Sequence, residues 1–178
     1  MMLAHQNAGD FAVLNRDNKY TREFGGRVIG RRFWFSLKPY AEENGAMIKS
    51  GRMIFRDTGT IRDVASTRDV VMPGEHNLYN SLAALAVAKI MGVPCATVRK
   101  TLRGFGGLPD RQELIREIAG VKYYNDTTAT TPDAGIAALR TLGTGKNIVL
   151  IAGGADKELV FGEWAGTVKK YCKNFCNS

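Results

Sequence analysis

Residues 121–154, "VKYYNDTTATTPDAGIAALRTLGTGKNIVLIAGG", leave little choice of architecture. Residues 121–124 read as a strand, Pro132 to Leu142 as a helix, and 147–154 as a nearly continuous apolar strand of the kind buried on both faces. A last amphipathic helix is predicted over 161–175. Strand, helix, strand, helix predicts a parallel α/β unit, which binds ligands beyond the carboxyl ends of its strands. Asn125-Asp126 stands at such an end, followed by "TTATT". Pro132 suits the first helical position and the preceding Thr can cap it. The loop therefore offers hydroxyls and N–H groups at a helix N-terminus, a natural anion site. Asp126 could accept from a sugar hydroxyl or hold a cation. A capped strand–helix turn without a ligand is the plain alternative.

The first hundred residues carry a different pattern. Strands are predicted at 10–15 ("DFAVLN", ending in the polar "NRDN") and at 27–37, and a hairpin over 45–57 turns at Ser50-Gly51. Helices follow over 74–92, with Leu78, Leu82, Leu85 and Ile90 on one side, and over 94–105. Asn77 and Asn80 are three apart in the first turns of the former, so they share a face. Asparagine is a poor helix former, and two neighbouring amides can read a base edge or a ribose. Surface amides near a helix start, and a packed or solvated His76, are the ordinary alternatives.

"GFGGLPD" (104–110) breaks both periods with three glycines and a proline, which places a domain boundary between 1–105 and 106–178. Just beyond it stands Arg111, and a second hairpin turns at Ala119-Gly120. "GGADK" (153–157) follows the apolar strand; its glycines allow close backbone approach, and Lys157 could neutralise a carboxylate or phosphate. Two stretches only imitate phosphate loops. Around "GTGKN" (143–147), Arg140 and Asn147 stand where a P-loop needs Gly and Ser or Thr, and "GFGGLPD" follows a helix.

Composition narrows the function classes. The net charge of +8 is spread: 10 basic against 6 acidic residues in 1–60, 6 against 3 in 61–105, and 9 against 8 in 106–178. A nucleic-acid partner is not expected from so dispersed an excess, whereas attraction of small anions is. No apolar run reaches the ~18 residues of a membrane span, and the start lacks a signal peptide's pattern, so no membrane association and a cytoplasmic location are expected. Cys172 and Cys176, one turn apart on the expected last helix, lack the partners of a zinc set and read as reduced thiols.

In order, "FAVLNRDN", "WFSL", "PGEHNLYNSLAALAVA", "GLPDRQE", "YYNDTTATTPDAGIAAL" and "IAGGADK" resemble the Mur ligases of peptidoglycan synthesis over nearly the whole chain. The resemblance is nearest to those that add D-glutamate to UDP-N-acetylmuramoyl-L-alanine. It implies an α/β fold in which 1–105 form the last part of the central ATPase domain. Residues 106–178 would form the first part of the Rossmann-like C-terminal domain. The implied reaction uses ATP and Mg2+: the substrate carboxylate becomes an acyl phosphate, which the amine of D-glutamate attacks. Carried over by motif position, Asn77 and Asn80 would face adenosine, Arg111 the phosphates and Asp126 the ribose, in a site completed by domain closure. Thr130 and Lys157 would contact D-glutamate. A monomer is expected.

The chain departs from the family pattern at Thr128, where lysine is common, and at Asp110, where histidine is usual. The P-loop lysine, the magnesium ligands and the carbamylated lysine would precede residue 1, so the segment alone is expected to be inactive. Two alternatives stay open: a non-catalytic nucleotide-binding or regulatory module, or a related ligase for another amino acid, as the folylpolyglutamate and cyanophycin ligases are. An incomplete C-terminal sheet also predicts an unpaired edge and a mobile second half.

Overall fold

The computed structural model of the protein describes residues 2–155 and 158–177. It divides into two compact units, one of Met1–Met72 with His76–Gly106, the other of Pro73–Glu75 with Gly107–Ser178.

The first unit is built on a five-stranded sheet of β1 (Phe11–Asn15), β2 (Arg31–Ser36), β3 (Gly45–Lys49), β4 (Arg52–Asp57) and β5 (Thr60–Ser66), in that order. β1, β2 and β3 run parallel; β4 and β5 are added antiparallel. Alternation along β2 divides its aromatics between the two faces. Phe33 stacks on Phe55 at 6.0 Å and joins a core with Met53, Val64, Leu82 and Leu85. Leu82, Leu85 and Ala86 come from α2 (Glu75–Ile90) and Val98 from α3 (Cys95–Gly104), so both helices lie on this face. Each such large side chain contributes about 1.5–3 kcal/mol on burial. Trp34, Tyr40 and Met47 form a smaller cluster of their own. Gly25, at the end of α1 (Lys19–Gly25), lies against the Trp34 ring so closely that a Cβ would collide with it. The Tyr40 hydroxyl donates to the Trp34 carbonyl at 3.0 Å, and burial pushes its pKa well above the ordinary value.

The hairpin at Ser50-Gly51 forms as expected, with φ of 50° and 74°, the left-handed pair of a type I′ turn. Thr58-Gly59 repeats this geometry between β4 and β5, an element that the sequence pattern did not announce.

The second unit contains β6 (Glu113–Ile118) and β7 (Val121–Asn125), antiparallel about Ala119-Gly120 as expected, then α4 (Pro132–Leu142), β8 (Ile148–Ala152), α5 (Gly162–Tyr171) and β9 (Cys172–Asn177). Three expectations are corrected here. Among the described residues β7 and β8 do not pair; the parallel pairing is β8 with β9, across α5. β8 is not buried on both faces: Ile148, Leu150 and Ala152 are half-buried while Val149 and Ile151 are exposed. Within a two-stranded sheet, only one face of so apolar a strand is covered. The last helix stops at Tyr171 instead of running to 175, because Cys172 adopts extended backbone (φ −96°, ψ 136°) and continues as the partner strand of β8. Cys172 and Cys176 therefore lie on a strand. Cys172 is a free buried thiol whose pKa burial raises. α4 and α5 pack together, with Gly135 against the Trp164 indole and Ile136 and Leu139 buried.

Candidate functional site

In the first unit the polar groups gather where β1 and β2 end. Asp17, two residues past β1, accepts from the buried Ser36 hydroxyl at 2.9 and 3.0 Å and from the Leu37 N–H at 3.0 Å. It also accepts from the Tyr79 hydroxyl at 2.9 Å, and the Tyr79 ring meets Phe35 edge-on at 6.3 Å. These contacts dock the first turns of α2 at the carboxyl ends of two parallel strands, the place where open α/β sheets take ligands. Asn77 and Asn80 flank Tyr79 there. Asn77 is buried and Asn80 exposed, so the two amides are not equally presented; His76 is half-buried. Sequence reasoning missed Asp17, although the polar "NRDN" directly after a strand carried the signal.

In the second unit the residues around Arg111 and Asp126 form one braced structure. Asp110 and Gln112, on either side of Arg111, both have left-handed backbone, with φ of 60° and 46°. Non-glycine residues hold that conformation only when their surroundings enforce it. The Asp110 carbonyl accepts from the Thr128 N–H at 3.2 Å and the Thr128 hydroxyl at 2.9 Å. The Asp110 carboxylate accepts from the Asn125 side-chain amide at 2.7 Å, and its N–H donates to Glu113 at 2.8 Å. Asp126 accepts from the Gln112 N–H at 3.0 Å through its carboxylate and from the Ala129 N–H at 2.9 Å through its carbonyl. Arg111 is exposed, and its guanidinium makes no ion pair among the described residues. The brace thus brings together two of the residues singled out from the sequence.

Thr131 caps α4, accepting from the Ala134 N–H at 3.3 Å, as its position before Pro132 suggests. The exposed Thr130 precedes a cleft of about 390 Å³ lined by Thr131, Pro132, Asp133, Ile136, Leu159, Val160 and Glu163. Its volume suits a small ligand. Lys157 lies outside the described residues. Among the described residues no group of three or more His, Cys, Asp and Glu could hold a metal ion. No described helix is long and apolar enough to cross a membrane.

No family model matches the chain. It is 44% identical over 157 residues to the UDP-N-acetylmuramoylalanine–D-glutamate ligase of Acetivibrio thermocellus, which covers 88% of this chain and 33% of that protein. It is 40% identical over 172 residues to the ligase of the same name from Pelotomaculum thermopropionicum, covering 97% of this chain and 37% of that one. The chain belongs to the Mur ligase family. The chain spans about a third of the length of the curated relatives it matches. The Mur ligase fold is seen directly in MurF from Acinetobacter baumannii, at a TM-score of 0.72 and 18% identity over 99% of this chain and 40% of that one. It is seen again in MurF ligase from Thermotoga maritima, solved in complex with ADP, at 0.65 and 19% over 99% of this chain and 45% of that one.

Proposed function

We propose that the chain serves an ATP-dependent ligation that adds D-glutamate to UDP-N-acetylmuramoyl-L-alanine in peptidoglycan synthesis. Residues 1–105 correspond to the last part of the central ATPase domain and 106–178 to the first part of the Rossmann-like C-terminal domain. The observation that carries the reading is the 40–44% identity to D-glutamate ligases over most of this chain. The proposal includes a cytoplasmic location and a monomeric state.

The chemistry divides a hard step into two. Transfer of the γ-phosphoryl group to the substrate carboxylate gives an acyl phosphate and ADP. The D-glutamate amine then forms the C–N bond as the C–O bond to phosphate breaks, with loss of the amine proton. Phosphorylation turns an oxide that would not leave into phosphate, and positioned cations stabilise the charge that develops. Asn77 and Asn80 contact the adenosine part of ATP, and Arg111 the phosphates. Asp126 accepts from a ribose hydroxyl. Thr130 and Lys157 hold D-glutamate, the lysine through its charge. Mg2+ would neutralise phosphate charge, but no cluster among the described residues fits a metal ion.

The test is a chimaera in which residues 1–178 replace the matching third of the Acetivibrio thermocellus ligase. Phosphate release that needs both UDP-N-acetylmuramoyl-L-alanine and D-glutamate, and is not supported by L-glutamate, is expected. A chimaera that folds and binds ADP yet releases no phosphate with D-glutamate contradicts the substrate assignment.

A further inference from the structure

We propose that Thr128 is a positioning residue: its hydroxyl, bonded to the Asp110 carbonyl, fixes the turn that presents Arg111 to a nucleotide's phosphates. The inference rests on the nucleotide reading above and adds a residue that the reading does not use. Arg111 sits between two non-glycine residues in left-handed backbone, Asp110 and Gln112. Such a turn aims the intervening side chain in one direction, but relaxes unless something outside it holds both ends. The loop after β7 does so. Thr128 holds Asp110 through two bonds to one carbonyl, at 2.9 Å from the hydroxyl and 3.2 Å from the N–H. Asn125 holds the Asp110 carboxylate at 2.7 Å, and Asp126 holds the Gln112 N–H at 3.0 Å. The turn and the loop therefore move as one piece carrying the Arg111 cation and the Asp126 carboxylate. A guanidinium set in advance loses less freedom when it meets a phosphate, which is the source of the affinity.

Of the contacts in this brace, the Thr128 hydroxyl bond can be removed without disturbing the backbone. Thr128→Val keeps the shape and the N–H bond and deletes the donor; Thr128→Ser keeps the donor. Calorimetric titration of the 178-residue chain compares ADP, which has phosphates, with adenosine, which has none. Thr128→Val is expected to weaken ADP binding about three- to tenfold, the scale of one net hydrogen bond. Adenosine binding should stay unchanged, and Thr128→Ser should restore ADP affinity. In an Arg111→Ala background, Thr128→Val should cause no further loss, because its effect passes through the arginine. Amide hydrogen exchange at Arg111 and Gln112 should quicken in Thr128→Val with no ligand present. Equal ADP affinity in Thr128→Val and the unmutated chain overturns the proposal, as does a full additional loss in the Arg111→Ala background. Equal loss for adenosine shows general loosening and also overturns it. Absence of ADP binding by the unmutated chain overturns the nucleotide reading itself, and the proposal with it.

Discussion

The Tyr79 hydroxyl donates to the Asp17 carboxylate at 2.9 Å and ties the second turn of α2 to the end of β1, 62 residues away in sequence. The same carboxylate holds the buried Ser36 hydroxyl and the Leu37 N–H at the end of β2. One side chain thus sets where Asn77 and Asn80 stand relative to the parallel strands.

Removing that carboxylate should be costly. Asp17→Ala leaves a fully buried hydroxyl and a backbone N–H without their acceptor, and is expected to lower stability by about 1–3 kcal/mol. Tyr79→Phe deletes one bond and keeps the ring against Phe35, so its cost should be about 1 kcal/mol. Urea denaturation of both variants checks the ranking; an Asp17→Ala midpoint equal to that of the unmutated protein would falsify the role given to Asp17.

Asp69 gives the fold a defined acid sensitivity. It accepts from the Ser66 N–H at 2.9 Å and from Arg103 at 2.8 Å, and these two contacts, in that order, hold its pKa below the ordinary carboxylate value. A carboxyl with a depressed folded pKa adds stability above its unfolded pKa of about 3.9, and that stability is lost as pH falls through the folded value. Denaturation midpoints below about pH 4 should therefore fall more steeply for the unmutated protein than for Asp69→Asn. Parallel pH profiles would show that the Asp69 contacts do not matter to folding.

Gly45 marks the tightest backbone approach in the sheet. At φ +138° a Cβ would run into the Trp34 backbone and lie 2.5 Å from the Tyr40 hydroxyl. Gly45→Ala is expected to cost at least about 2 kcal/mol, through an unfavourable backbone conformation and overpacking together. Thermal unfolding within a degree of the unmutated protein would contradict this geometry.

The reach of the sequence is clearest where two similar signals had different outcomes. Ser50-Gly51 announces its hairpin because apolar runs flank it on both sides, whereas Thr58-Gly59 makes the same turn with a β-branched residue at φ 44° and leads into the charged "TIRDVAS". Local pattern favours the first and hides the second. "NIVLIAGG" shows that a strand exists but not what covers it, since burial depends on neighbours that a five-residue stretch does not encode. "CKNF" (172–175) can continue the helix by period alone, and pairing with β8 makes it extended instead. Local pattern was enough to set Asn77 and Asn80 in the first turns of α2 and Asp126 directly after β7. The brace through Asp110, Asn125 and Thr128 was not readable, because it depends on left-handed backbone at Asp110 and Gln112 and on contacts 15 to 18 residues apart.

We propose that this chain contributes nucleotide-facing residues from both its sequence halves. Mapping ADP-induced chemical-shift changes on the isotope-labelled 178-residue chain tests it most directly. Saturable shifts are expected at Asn77, Asn80, Arg111 and Asp126. No shifts at millimolar ADP, or shifts confined to residues outside these two regions such as 143–147, would contradict it.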